Sequence, residues 1–383
     1  MILPCQRHLF EIPEEVSYLN CAYLSPLMKA VSEAGVAGLR RKAAPWEIVA
    51  EDFFTGSEAA RSGFARLLGC DPGCVSIAPS VSYGVGVAAA NLPMGPGRRV
   101  VLLEEQFPSN VYPWLARAEA TGAEVVFAAR DAGGADAWTA PLLSLIDERT
   151  AVVAVPACHW TDGTTVDLVA VSRRCREVGA ALSLDLTQSL GACPFDLEGV
   201  QPDFVVAAAY KWLLGPYGLA FMYAAPRHLG GVPLEFGWIN REGSEDFAQL
   251  VRYREGFAPG ARRYDVGQRS NFVTLPMIAA ALDQIQAWGV EAIAETLGAL
   301  TGEIAARAAV LGLEVCEARA PHMLGLRAPG GLPEGLARHL VEAKVFVSVR
   351  GDAIRVSPHL YNGARDLERL FGALERFKPG GFT

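Results

Sequence analysis

From residue 75 to residue 224, short apolar runs alternate with amphipathic stretches. The runs 75–78, 99–105, 124–128, 150–157, 181–186 and 204–209 have the length and composition of strands, and the last two are apolar enough to be buried on both faces. Helical periodicity fills 142–147 and a stretch from Asp167 to residue 178, with Asp167 placed to start the helix. Upstream, 28–39 and 59–68 read as helices, the second ending in the turn cluster 69–73. Strand, helix, strand alternation predicts an α/β fold whose main sheet is mostly parallel, with helices on both faces. Beyond Pro226 the pattern breaks into polar, glycine-marked segments at 235–242 and 262–272. Residues 276–311 then read as two helices. The last 70 residues or so read as α+β: strand 322–327, helix 334–342, strand 345–349, a Gly351-Asp352 hairpin turn, strand 353–357 and helix 364–377.

Composition narrows the classes. A length of 383 residues suggests two or three domains at roughly 150 residues each. A net charge of −8 argues against a nucleic-acid footprint. No apolar run reaches the roughly 18–20 residues of a membrane span. The opening Met1–Arg7 has neither the charged n-region nor the apolar h-region of a signal peptide. The 8 cysteines form no disulfide or zinc framework, Cys70 and Cys74 being the one close pair, so a reducing cytoplasm is the expected setting.

Chemistry concentrates where two strands end. The run 181–186 delivers Asp185 and then Gln188; the run 204–209 delivers Tyr210 and Lys211. Ligands of parallel α/β sheets sit outside the carboxyl ends of strands. An amine and a carboxylate side by side there suit pyridoxal 5′-phosphate (PLP): the lysine forms a Schiff base with its aldehyde, and the acid keeps the pyridine nitrogen protonated. A lone lysine after a strand is ordinarily a solvated surface residue. Lys211, however, lies among almost wholly apolar neighbours, which lower an amine's pKa. Asp185 sits between Leu184 and Leu186, where a carboxylate needs a cationic partner. After strand 75–78, Ser80, Val81 and Ser82 open a helix whose N-terminus is suited to a phosphate. Gly84-x-Gly86-x-x-Ala89 mimics a dinucleotide fingerprint, but its glycines fall inside the helix and no ribose-binding acid follows. A nicotinamide oxidoreductase is therefore disfavoured. A PLP fold kept as a non-catalytic scaffold stays open. His159 is a general-base candidate, although a lone histidine is more often structural.

Asp-x-x-Gln-Ser-x-Gly at 185–191, then Asp203-Phe-Val-Val and Tyr210-Lys211-Trp212 with a glycine-rich sequel, resembles the class V aminotransferases, a family of PLP enzymes that includes cysteine desulfurases, kynureninases and isopenicillin N epimerase-like proteins. The resemblance runs from about Tyr18 to about Leu370. It implies the fold-type I architecture: a large PLP-binding domain over 16–270 with a mainly parallel seven-stranded sheet, and a small α+β domain from 1–15 and 271–383 with connecting helices. By the same resemblance Lys211 is the catalytic residue, and Ser80, Val81, Ser82, Phe107, Asp185, Gln188, Tyr210, Trp238 and Gln268 bind the cofactor. Phe107 stacks on the ring, Gln188 meets its 3-oxygen, and Trp238, Gln268 and Arg269 complete the site of a neighbouring subunit in a homodimer. Asn20, Trp160 and Asp162 line the substrate side, with Thr161 beside them. Arg355, in Arg-x-Ser followed by Tyr361-Asn362, grips the substrate α-carboxylate with its bidentate fork.

The segment 343–354 carries no cysteine where a desulfurase of this family holds its sulfur-accepting thiol. Phe107-Pro108 resembles the kynureninase version, but Asn110 and Gln188 replace the acid and histidine expected there. Chemistry needing only a lysine to shuttle the α-proton remains: an aminotransferase first, a PLP-dependent lyase or epimerase as the alternative, and no metal.

Overall fold

The computed structural model describes residues 1–131, 136–378 and 381–382. Among them are twelve strands: β1 (Ser17–Tyr18), β2 (Val75–Ala78), β3 (Arg99–Leu103), β4 (Glu124–Ala128), β5 (Thr150–Pro156), β6 (Ala181–Asp185), β7 (Phe204–Ala208), β8 (Ala220–Ala224), β9 (Leu324–Arg327), β10 (Val345–Phe346), β11 (Ser348–Arg350) and β12 (Ala353–Val356). The helices are α1 (Lys29–Lys42), α2 (Asp52–Leu68), α3 (Val81–Asn91), α4 (Tyr112–Thr121), α5 (Thr139–Leu145), α6 (Leu168–Val178), α7 (Leu197–Val200), α8 (Thr274–Trp288), α9 (Val290–Val310), α10 (Leu336–Glu342) and α11 (Ala364–Phe377).

Seven strands form the main sheet in the order β2-β8-β7-β6-β5-β3-β4. Only β8 runs against its neighbours, pairing antiparallel with both β2 and β7. The period of two along each strand divides its side chains between two cores. Val101, Val153, Leu184, Val205 and Phe221 face one layer, with Phe64 of α2 stacked 4.5 Å from Phe221. Val100, Val152, Phe204, Val206 and Met222 face the other, under α3. Gly84 explains the dinucleotide look-alike: a Cβ there would meet Val206 Cγ1 at 2.7 Å, so the glycine lets α3 lie close on the sheet.

The C-terminal sheet is β11-β12-β9, backed by α9, α10 and α11 around a separate apolar core. α8 packs on α1 and α2, and α9 on β9 and α11. Two expected elements changed. The strand 345–349 is two strands, because β10 pairs with β1 while β11 pairs with β12, and Val347 is where the chain changes partner. The helix expected at 59–68 begins at Asp52. Its first turns are poor in helix-forming residues, but they pack against α8, where Leu275 contacts Gly56. Among the described residues no helix is long and apolar enough to cross a membrane.

Candidate active site

The carboxyl ends of β2, β3, β5, β6 and β7 open on one edge of the sheet, and the turn entering reversed β8 closes it. Their successors line a cavity of about 240 Å³: Ser80–Ser82, Phe107, Cys158, Asp185 with Gln188, Tyr210 with Lys211, and Tyr217–Leu219. Alternation puts Asp185 on the same sheet face as Val206, the face that carries α3, so the acid and the N-terminus of α3 share one space. Ser80 caps α3 in extended backbone, its Oγ accepting from the Tyr83 N–H at 3.2 Å and lying 3.0 Å from Ser82 Oγ. Val81 and Ser82, the first residues of α3, line the cavity, and the N–H groups of a helix N-terminus suit an anion.

Lys211 is 5% exposed, with Nζ 5.1 Å from the Phe107 ring centre. Burial lowers its pKa to about 8, against the pull of Asp185 and with help from Arg355 and Arg350. Burial raises the pKa of Asp185, opposed by the Thr187 hydrogen bonds, including Thr187 N–H to Oδ1 at 2.9 Å. Among the described residues no cation lies within ion-pair distance of Asp185. A cavity lined by a phenyl ring, a helix N-terminus and a buried carboxylate without an ion pair suits a phosphorylated pyridine whose ring nitrogen is protonated. Gln188 donates to the Ala22 carbonyl at 3.1 Å and accepts from Trp212 Nε1 at 2.9 Å, which fixes its amide.

Only the neutral amine attacks an aldehyde. With a pKa near 8, the neutral fraction of Lys211 rises about tenfold per pH unit below that value and then levels off. Loading of apo protein with pyridoxal phosphate, followed by its visible absorbance in a stopped-flow mixer, should accelerate from pH 6 to about 8 and plateau. A rate still climbing tenfold per unit at pH 9 would show an unperturbed lysine.

A second cavity of about 420 Å³ shares Phe107, Trp160, Tyr210, Lys211 and Tyr217 with the first and adds Ala22–Leu24, Arg350 and Arg355. Arg355 on β12 donates to the Trp160 carbonyl at 2.7 Å, and the Trp160 indole donates to the Glu105 carbonyl at 2.7 Å. Glu105 has φ 53°, a costly backbone angle for a residue with a side chain, set where the chain turns toward Phe107. Gly325, paired with Arg355, lets the Asp162 loop approach: a Cβ there would sit 2.6 Å from Asp162 Cβ. The loop after β5 and the C-terminal sheet thus close together over Lys211.

Ser80, Val81, Ser82, Phe107, Trp160, Asp185, Gln188, Tyr210, Lys211 and Arg355 all line one or both cavities. Asn20, Asp162, Trp238 and Gln268 line neither. Asn20 is buried, its Oδ1 accepting from Ser348 Oγ at 2.9 Å. Asp162 is buried too; despite that burial, the Arg327 hydrogen bond and the Arg130 charge, each at 2.7 Å, hold its pKa at about 2. Trp238 packs on Phe53 and Phe247 at the surface, and Gln268 is exposed. His159 stacks on Trp138, with Nδ1 2.6 Å from Thr161 Oγ1, and burial lowers its pKa to about 4. Sequence reasoning did not single out Tyr23, Thr187, Tyr217 or Arg350. Thr187 lay inside the Asp185 motif, Tyr217 in the glycine-rich sequel and Tyr23 in the segment of Asn20, but nothing local marked Arg350.

A buried lysine and carboxylate at adjacent strand ends, beside the N-terminus of α3, have the chemistry that suits PLP on a doubly wound sheet. The chain belongs to the class V aminotransferases, a PLP-dependent enzyme family, whose model, Aminotransferase class-V, matches residues 47–370. A Bacillus subtilis (strain 168) protein named Uncharacterized aminotransferase YcbU is 28% identical over 371 residues, covering 94% of each chain. Isopenicillin N epimerase of Streptomyces clavuligerus is 24% identical, covering 93% of this chain and 94% of its own. The apo structure of a cysteine desulfurase from Thermococcus onnurineus NA1 superposes with a TM-score of 0.84 at 18% identity, over 98% of this chain and 99% of that one, which establishes the shared fold-type I architecture.

Proposed function

We propose that this enzyme transfers the amino group of an amino acid to a 2-oxo acid. The observation that carries the reading is Lys211, buried in a cavity that runs on to Arg355. When bound, PLP supplies an electron sink that acidifies the substrate's α-proton. Asp185 would hold the ring nitrogen, the α3 N-terminus with Ser80 and Ser82 the phosphate, and Phe107 the ring face. Arg355 orients the substrate by its α-carboxylate, and the Lys211 amine takes up and returns the α-proton. Phe107 and Trp160, with ring centres 5.4 Å apart, line the space in which that exchange would take place.

Sulfur transfer fits less well. Cys158 lines the cavity, but burial pushes its thiol well above the ordinary range, and Cys21 beside Lys211 is pushed to about 12. Neither provides the thiolate that accepts sulfur. Epimerisation is the second reading. It needs the same lysine and no acceptor, and a relative matched over nearly its full length is named for it.

Incubating the holoenzyme with an amino-acid panel and a 2-oxo acid, then separating products on a chiral column, distinguishes these. New amino acid formed from the acceptor is expected. Inversion without transfer, or sulfide from cysteine without transfer, overturns the assignment.

We also propose a homodimer in which Trp238 and Gln268 reach the partner's site. Phe236, Trp238 and Tyr253 are exposed and line one surface depression, apolar surface of the kind that marks an interface. Sedimentation of the active holoenzyme as a monomer would remove this part of the proposal.

A further inference from the structure

Two arginines face the substrate cavity, and the proposed reaction uses one. In the antiparallel pair β11–β12, Ser348 lies opposite Arg355 and Arg350 opposite Ala353. Residues two apart on a strand share a face. Arg350 and Arg355 are therefore diagonal neighbours on one face, a spacing across which long side chains reach a common space. Both line the cavity of about 420 Å³ that contains Lys211.

Their donors are only partly used. Arg355, 1% exposed, gives one N–H to the Trp160 carbonyl, and its Nε is buried with no partner. Arg350 lays its guanidinium carbon 5.6 Å from the Trp160 ring centre and gives one N–H to the Val349 carbonyl, and its Nε is likewise buried and unpartnered. Among the described residues neither arginine has an ion pair; the neighbouring carboxylate, Asp352, is taken by Arg327 at 3.0 Å. Two like charges with idle donors in one partly desolvated cavity are unfavourable until anions meet them. One carboxylate answers Arg355. Arg350 is left over, in the cavity that Tyr23, Trp160 and Tyr217 also line.

We propose that Arg350 is a specificity-determining residue that receives a second carboxylate, so that the substrate is a dicarboxylic amino acid or its 2-oxo acid. This rests on the reading of Arg355 as the α-carboxylate ligand. An apolar side chain in the same place leaves Arg350 unpaired, and that difference sets the preference.

Calorimetric titration of the holoenzyme with unreactive acids tests it. Glutarate and succinate are the dicarboxylate probes; valerate and butyrate are the monocarboxylate controls. The wild type should bind glutarate about tenfold or more tightly than valerate, the factor that corresponds to about 1.4 kcal/mol. Arg350→Gln should bring that ratio to about one, and Arg350→Lys, which keeps a point charge, should hold an intermediate ratio. Equal wild-type affinities overturn the proposal. So does an Arg350→Gln variant that weakens both probes alike, since both arginines would then share one carboxylate. If Arg350→Gln fails to keep the wild-type unfolding temperature and cofactor absorbance, the wild-type ratio and Arg350→Lys decide. Because the titration needs no turnover, a dicarboxylate preference without amino transfer overturns only the aminotransferase reading. Amino transfer with a binding ratio of one overturns only this inference.

Discussion

Lys211→Ala should lose essentially all turnover while the chain still folds and still takes up PLP. Proton transfer by a positioned side chain alone contributes about 10²–10⁴-fold, and covalent capture of the cofactor is lost with it. Folding should survive, because the side chain lines a cavity and makes no ion pair among the described residues. Retention should survive because the α3 N-terminus and Asp185, the groups proposed to hold the cofactor, are untouched. Steady-state assays beside an absorbance spectrum of the dialysed protein report both halves. A variant within tenfold of wild-type turnover would remove Lys211 from the chemistry.

The second large effect concerns stability. Asp265 is fully buried and accepts from Arg61 Nη2 at 2.7 Å, Arg269 Nη1 at 2.9 Å and the Ile77 N–H at 2.7 Å. Arg61 is fully buried as well and also donates to the Val75 carbonyl. Asp265→Ala would leave the Ile77 N–H without its acceptor and take the carboxylate from Arg269, which keeps Asn240 Oδ1 at 3.2 Å, while Arg61 keeps Glu58 at 3.2 Å; removing one partner from such a buried charge cluster costs about 3–5 kcal/mol. Urea denaturation of the apo protein should show that loss as a lower midpoint at unchanged slope. The segment also lies along edge strand β2, with Val266 N–H bonded to the Ile77 carbonyl. Because Pro79 and Ser80 follow directly, PLP affinity should fall together with stability. A loss below about 1 kcal/mol would mean that the three charges are not coupled.

The parts of this site legible in the sequence are those whose signal is local. Asp185 and Lys211 each break an apolar run at a strand end, and a parallel sheet brings such ends together. Ser80 announces its helix by residue type. What local pattern could not supply is the partner on the far side. The Gln188 amide is set by Ala22, 166 residues away, and by Trp212. Asp162 meets Arg327, 165 residues downstream, and is thereby buried in an ion-pair cluster. Arg350 fell between the expected strand 345–349 and its hairpin turn, and only the β11–β12 register aligns it diagonally with Arg355. The division of 345–349 into two strands is equally non-local, since the pairing with β1 comes from the first twenty residues.

That pairing has a consequence in time. β1 joins β10, and Asn20 bridges to Ser357 and accepts from Ser348, 328 residues along the chain. During synthesis the main sheet has all its strands once residue 224 has left the ribosome. The β1 strand and the Ala22–Leu24 wall must wait for residues 345–357 to emerge. At the usual 5–20 residues per second that delay is on the order of ten seconds. A nascent chain could therefore hold its cofactor before it can hold a substrate, and the amine would be poised well ahead of anything it could act on.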